Sequence, residues 1–257
     1  MEKSFLPFAI LIINVGLCFS QPPLQDGFPV YMEGNYFSSP IVVDVDGNGD
    51  MEIVVASMDD KVHIFNHDGS VFEPWRMITQ PGPPQCPTET SSPAAVDIDG
   101  DGTMEIFFGS NDGNLYGWTC AGEDLPGFPV SLENGVVRCS ATIADIDGDG
   151  DFEILIGTGV SQYRFYAFHH DGQLVDGFPI NVAWLVHSTP AVGDVDGDGA
   201  VEIVFGTDGN GARGYVYAIE STGQMLSGWP RLVGHHVDSS PALVELDATN
   251  DGLEIVV

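Results

Sequence analysis

The chain reads as an all-β protein, a β-propeller of four-stranded blades, and three observations carry that reading. An acidic loop recurs five times, its first acids spaced 53, 48, 49 and 51 residues apart. A second landmark keeps the same beat: Gly-Phe-Pro at 27–29, 127–129 and 177–179, with Gly228-Trp229-Pro230 in the next place and a decayed copy at Glu73-Pro74-Trp75. Between the landmarks each unit has room for about four short strands, and four strands in about 40–50 residues, repeated, is the signature of a propeller blade. An open β-solenoid is the competing architecture, but its repeats are usually shorter.

The elements follow in order. Residues 1–20 have the pattern of a secretory signal peptide: Lys3, an apolar run from Phe5 to Leu17, then Cys18-Phe19-Ser20 with small residues at −3 and −1. A lipoprotein site at Cys18 and a retained anchor compete with it. Leu17 is larger than lipoprotein sites usually accept, and the run falls short of the roughly 20 residues a span needs. Residues 21–257 are the repeats, with units beginning near 38, 91, 139, 188 and 239, the last of them partial. A unit opens at Ser-x-Pro (Ser38-Ser39-Pro40, Ser91-Ser92-Pro93, Ser188-Thr189-Pro190, Ser239-Ser240-Pro241) and runs as a first strand into the acidic loop. The closing Glu starts a second strand, such as Ile53-Val54-Val55-Ala56-Ser57. An aromatic third strand follows (Leu115 to Trp118, Tyr163 to Phe168, Tyr215 to Tyr217), and a weaker fourth begins at Gly-Phe-Pro.

The acidic loop carries the chemistry. In Asp145-Ile-Asp147-Gly-Asp149-Gly-Asp151-Phe-Glu153, carboxylates stand at positions 1, 3, 5 and 9, with Gly150 at position 6. Five acids in nine residues repel one another unless a cation sits among them, and a glycine at the bend lets position 7 offer its backbone carbonyl. Those are the requirements of a calcium site. No amphipathic helix flanks the stretch, and Glu153 leads into a buried strand, so the loop joins two strands and is not an EF-hand.

Net charge is −31, from 38 acids against 7 bases, and the five loops hold 21 of those acids. Five calcium ions, two charges each, would bring −31 only to −21. Binding of nucleic acid through its phosphates needs clustered Lys and Arg and is excluded. After the signal, no membrane span is expected. Removing it leaves Cys86, Cys120 and Cys139, of which Cys86 and Cys139 lie just before first strands and are expected to pair. The third-strand aromatics are read as packing between blades, while Trp75, Trp184 and Trp229 are better surface candidates for sugar stacking. His169-His170 and His235-His236 are read as polar turn residues. There is no Gly-x-Ser-x-Gly, no His-Glu-x-x-His and no phosphate-binding glycine loop, so no enzyme is expected.

Taken together, Ser-x-Pro, Asp-x-Asp-Gly-Asp-Gly-x-x-Glu-Ile-Val, Tyr-x-Phe and Gly-Phe-Pro resemble the FG-GAP/VCBS repeats of integrin α-subunit heads and many secreted bacterial proteins. The resemblance implies a calcium ion in each loop, held by side chains at positions 1, 3, 5 and 9 and a carbonyl at position 7. That carries over onto Asp44, Asp46, Asn48, Glu52 with Asp50; Asp97, Asp99, Asp101, Glu105 with Thr103; Asp145, Asp147, Asp149, Glu153 with Asp151; and Asp194, Asp196, Asp198, Glu202 with Ala200. The fifth loop (Glu245, Asp247, Asp251, Glu254) begins with Glu, has Thr249 where an acid belongs and carries one extra residue, so a weaker or empty site is expected. Family propellers usually count about six to eight blades, so further blades are expected beyond residue 257. The implied function is a secreted or cell-surface binding, adhesion or display module for an extracellular protein or carbohydrate ligand. The rivals are the propeller of a polysaccharide lyase or hydrolase and a purely architectural segment of a larger surface protein. Few cations are available to hold an acidic sugar, which disfavours a polyuronide lyase.

Overall fold

The computed structural model describes residues 25–32, 38–57, 61–73, 75, 91–133, 135–160, 162–209, 213–246 and 252–257. Residues 1–24, on which the expected signal peptide falls, Cys86 and the tip of the fifth loop, including Asp247 and Asp251, lie outside them.

Each repeat folds as its own antiparallel sheet. The first is β1 (Ile41–Val43), β2 (Glu52–Ser57) and β3 (Lys61–Phe65), paired in that order. The second is β4 (Ala94–Val96), β5 (Glu105–Gly109), β6 (Asn114–Trp118) and β7 (Val130–Ser131). The third is β8 (Thr142–Ala144), β9 (Glu153–Gly157), β10 (Arg164–His169) and β11 (Ile180–Asn181). In the fourth, β12 (Leu185–Val186) and β13 (Ala191–Gly193) both pair with β14 (Glu202–Asp208), followed by β15 (Tyr215–Glu220) and β16 (Arg231–Leu232). The fifth contributes β17 (Ala242–Val244) and β18 (Glu254–Val256). The strand boundaries match the repeat: first strands end just before the acidic loop, second strands start on or at its closing Glu, and fourth strands start after Gly-Phe-Pro. These are propeller blades. Among the described residues, no helix is long and apolar enough to cross a membrane.

First strands of neighbouring units lie side by side, β1 against β4, β4 against β8 and β13 against β17. The hydroxyls of Ser92, Ser140 and Ser240, each second in its unit's entry, tie one unit to the one before. Ser39 donates its N–H to Ser92 Oγ (2.8 Å), Ser92 to Ser140 Oγ (2.9 Å) and Thr189 to Ser240 Oγ (3.1 Å). The two sequence landmarks also meet across the unit boundary. A Cβ built on Gly127 would lie 1.9 Å from the Asp171 carbonyl oxygen in the next unit, and one on Gly177 would lie 2.1 Å from that of Thr222. Only glycine fits where the Gly-Phe-Pro corner seats on the neighbour's hairpin turn.

The core sits between sheets. Strands β5 and β9 are buried at every residue, which explains why they read as continuous apolar runs rather than alternating ones. Phe165 of the third unit stacks on Phe205 of the fourth at 4.1 Å, and Phe205 stacks on Tyr217 at 5.0 Å. The third-strand aromatics are therefore packing, as expected. Trp75 corrects its expectation. It is 4% exposed, meets Trp118 edge-on at 5.6 Å and donates its indole N–H to the Val62 carbonyl at 2.7 Å. It plugs the boundary between first and second units. Trp229 is half-buried with the Arg231 guanidinium over its ring, and Trp184 is half-buried against Tyr163.

The expected Cys86–Cys139 pair is corrected too. Cys139 is a free, buried thiol that donates to the Gly157 carbonyl (3.4 Å) and accepts from the Gly157 N–H (3.2 Å). Ser38 makes the same two bonds to Ala56, and Ser188 to Gly206. Cys139 is the sulfur form of the serine that opens each unit.

Candidate metal centres

Each acidic loop leaves a first strand and returns as a second, and its side chains are fixed by hydrogen bonds to its own backbone. In the third loop, Asp145 accepts from Gly148 N–H (2.6 Å) with one oxygen and from Gly150 N–H (3.1 Å) with the other. Asp147 accepts from Asp149 N–H and Asp149 from Asp151 N–H. The second and fourth loops repeat this pattern on Asp97, Asp99 and Asp101 and on Asp194, Asp196 and Asp198. In the first loop, Asp44 accepts from Asn48 and Gly49. Position 6 carries a left-handed backbone in all four, with φ of 94° at Gly49, 92° at Gly102, 95° at Gly150 and 92° at Gly199. A side chain there would be strained, which is why the spacing keeps glycine.

The closing Glu performs a second job that the sequence does not announce. One carboxylate oxygen accepts the N–H of the residue at position 2: Glu52 from Val45 (2.9 Å), Glu105 from Ile98 (2.9 Å), Glu153 from Ile146 (3.0 Å) and Glu202 from Val195 (2.8 Å). Glu254 does the same for Leu246 (2.9 Å) across the one-residue insertion, so this lock survives in the degenerate fifth loop. These glutamates are buried, between 0% and 2% exposed in the first four units. The second oxygens of Glu202 and Glu254 are buried with no hydrogen-bond partner. Burial pushes the carboxyls of Glu52, Glu105, Glu153 and Glu202 above the usual glutamate range. The backbone bond opposes this and the loop aspartates reinforce it.

The structure brings carboxylate oxygens of Asp44, Asp46 and Glu52 within 4.8 Å of one another, and likewise Asp97, Asp99 and Asp101; Asp145, Asp147 and Glu153; and Asp194, Asp196 and Glu202. A buried carboxylate oxygen without a donor, aimed among other carboxylates, costs free energy unless a cation completes it. The donors are all oxygens, so a hard cation fits and a soft one does not. The position-7 residues Asp50, Thr103, Asp151 and Ala200 sit at the return of each loop. The Thr103 hydroxyl turns back to Asp101 (2.7 Å), while His67 and His170 lie 3.8 Å from Asp50 and Asp151. Opposite each closing Glu stands a different third-strand residue. In the third unit it is His169, whose ring nitrogen is 3.2 Å from Glu153; in the fourth it is Glu220, paired with Glu202.

A family model for the FG-GAP-like repeat matches residues 44–108 and 145–205, each spanning acidic loops. The chain carries FG-GAP-like repeats. Known structures of propeller type share this chain's fold. The C-terminal domain of Pseudomonas aeruginosa PilY1 superposes with a TM-score of 0.54 at 11% identity, covering 85% of this chain and 72% of that one. BBS1N, crystallised in complex with ARL6DN, gives a TM-score of 0.51 at 15% identity, covering 83% of this chain and 61% of that one. The chain thus spans less than two thirds of BBS1N. No curated protein sequence matches it.

Proposed function

We propose that this protein is a calcium-stabilised, extracellular binding module without catalytic activity. The observation that carries the metal is the split duty of the closing glutamate. One oxygen locks the loop, and the other is left buried among aspartates, unpartnered outright in Glu202. Bound there, calcium would satisfy that oxygen and neutralise loops whose acids otherwise repel. Asp44, Asp46, Asn48 and Glu52 and their counterparts would hold it. Its contribution is to fix the start of every second strand to the end of the first.

The binding role is supported by the propeller itself and by the aromatic pair of exposed Tyr163 and half-buried Trp184, 6.0 Å apart edge-on, on the end of the blades away from the acidic loops. An aromatic pair of that kind suits a sugar ring or a protein loop.

The test is a thermal melt of the chain stripped of metal and then supplied with millimolar calcium. A large rise in Tm with calcium, and none with equal ionic strength from sodium, is the expected result, because a ligand of the native state alone stabilises it by mass action. Equal melting in both conditions would end the metal reading. Tyr163→Ala with Trp184→Ala would then abolish retention on an immobilised neutral polysaccharide without changing Tm by more than a few degrees.

A further inference from the structure

We propose that Asp208, His236 and Asp238 form a second cation site, for a zinc-like divalent transition metal, at the boundary between the fourth and fifth units. Asp208 ends β14, while His236 and Asp238 precede β17. The calcium loops join the end of a first strand to the start of a second, so this cluster lies at the opposite end of the blades. One ligand atom from each of the three residues falls within 4.8 Å of the other two, and the His236 Nδ1 is in direct contact with an Asp208 carboxylate oxygen. Zinc bonds of about 2.0–2.2 Å put tetrahedral ligand atoms about 3.4 Å apart, so modest side-chain rotation closes the set.

The chemistry differs from that of the loops. Calcium takes oxygens, whereas an imidazole with two carboxylates suits zinc and its neighbours, with a remaining position open to water or a ligand. Two carboxylates beside an imidazole supply the donors that a divalent ion of this kind takes. His187 stands beside it, near enough to feel both Asp238 and Asp208. Burial holds its imidazole below the usual histidine range, and the Arg138 charge pushes it the same way.

The repeat does not require this cluster. The positions matching His236, three residues before the opening Ser or Cys, are Val136 and Leu185, both buried apolar residues. Those matching Asp208, six after the closing Glu, are Asn111 and Gly159. The position matching Asp238 holds Arg138 and His187, so those two boundaries lack the full ligand set that Asp208, His236 and Asp238 make here. Asp208 and His236 are 28 residues apart and come from different units, so no spacing motif reveals them.

The experiment is a Co2+ titration of the whole chain in saturating calcium, followed by visible absorption and calorimetry, with Zn2+ as competitor. One Co2+ per chain is expected, with ligand-field bands that Zn2+ displaces. His236→Ala or Asp208→Asn is expected to weaken it by at least about 10–100-fold, the range that even outer-shell changes cost. His235→Ala should leave it intact, and circular dichroism should show each variant folded. The proposal falls if Co2+ does not bind the calcium-saturated chain, if His236→Ala binds it as wild type does, or if only His235→Ala loses it. A Co2+ signal that disappears on raising calcium places the ion in the acidic loops and equally overturns it. Since calcium binding is read separately from the melt, failure here leaves the calcium reading standing.

Discussion

At the scale of single residues, the closing glutamates and Cys139 make predictions of opposite character. Burial holds Glu52, Glu105, Glu153 and Glu202 above the ordinary value of 4.5 in the metal-free fold. The native state then keeps these protons more tightly than the unfolded chain does. Their contribution is complete below 4.5 and is lost as pH rises through the folded-state values. Asp68, Asp101 and Asp171, exposed and held down by hydrogen bonds from Ser70, Thr103 and Gln173, keep their full contribution above their ordinary 3.8 and lose it only as pH falls below that. Above 4.5 the glutamates lower stability as pH rises, while His187, held below its ordinary 6.5 by burial, adds stability as pH rises toward that value. The glutamate part is therefore read against Glu202→Gln, neutral throughout: as pH rises above 4.5, metal-stripped wild type should lose Tm relative to that variant. Parallel pH profiles for the two proteins would refute the assignment. Cys139 is the inert counterpart. Its burial pushes the thiol up to about 11, and its sulfur is engaged with Gly157 on both sides. Alkylation followed by peptide mapping should label half-buried Cys120 in native protein and Cys139 only after denaturation. Cys139→Ser, which restores the residue of the other units, should be near neutral, and Cys139→Ala should cost about 1–3 kcal/mol for the two orphaned Gly157 groups.

The element that decides how units stack is the end of the second strand, four residues after the closing Glu. There Gly157 receives the side chain of Val186 from the next unit, and Gly206 receives that of Val237. A Cβ on either would come to 2.3 Å from the valine. Gly109 meets Val137 at 2.6 Å in the same way. These valines sit on branched, rotamer-poor side chains in a filled boundary, so there is little room to yield. Gly206→Ala should therefore destabilise by about 1–3 kcal/mol, and adding Val237→Ala should recover part of that loss, because the pair then fits again. Equilibrium urea unfolding measures both; additive losses in the double variant would mean the clash is not the cause. Ala56 holds the matching place in the first unit, where the boundary was built with a Cβ from the outset.

For the whole molecule, what was legible in the sequence divides along the line between local and remote. The blade order, the strand limits and the four carboxylate clusters could be read, because each is written within one repeat and repeated in register. The lock from Glu to position 2 was not, since a ligand's second oxygen leaves no trace in spacing. Cys139 was legible in principle: Cys139-Ser140-Ala141 aligns with Ser-Ser-Pro, and the habit of pairing cysteines hides it. Trp75 was obscured because its landmark had decayed, and its burial depends on Trp118 in another unit. The Asp208, His236 and Asp238 cluster is assembled only by stacking. That same stacking would set the consequence of losing calcium from the proposed sites. Each unit packs chiefly on its neighbours, so a repeat array of this kind is stabilised by nearest-neighbour contacts rather than by one shared core. With extracellular-type affinities of about 10⁻⁴–10⁻³ M, 10 mM calcium adds about 1.4–2.7 kcal/mol per site, or about 6–11 kcal/mol for four. That is comparable to the whole stability of an ordinary domain, about 5–15 kcal/mol. Removing the closing carboxylates one at a time, as Glu52→Gln, Glu105→Gln, Glu153→Gln and Glu202→Gln, should lower the calcium-dependent part of stability in steps of that size. The loss should be larger for the inner units, whose loops are flanked on both sides, than for the first. If one substitution removed the entire calcium effect, the ion would be acting at a single site and the repeated loops would be architecture alone.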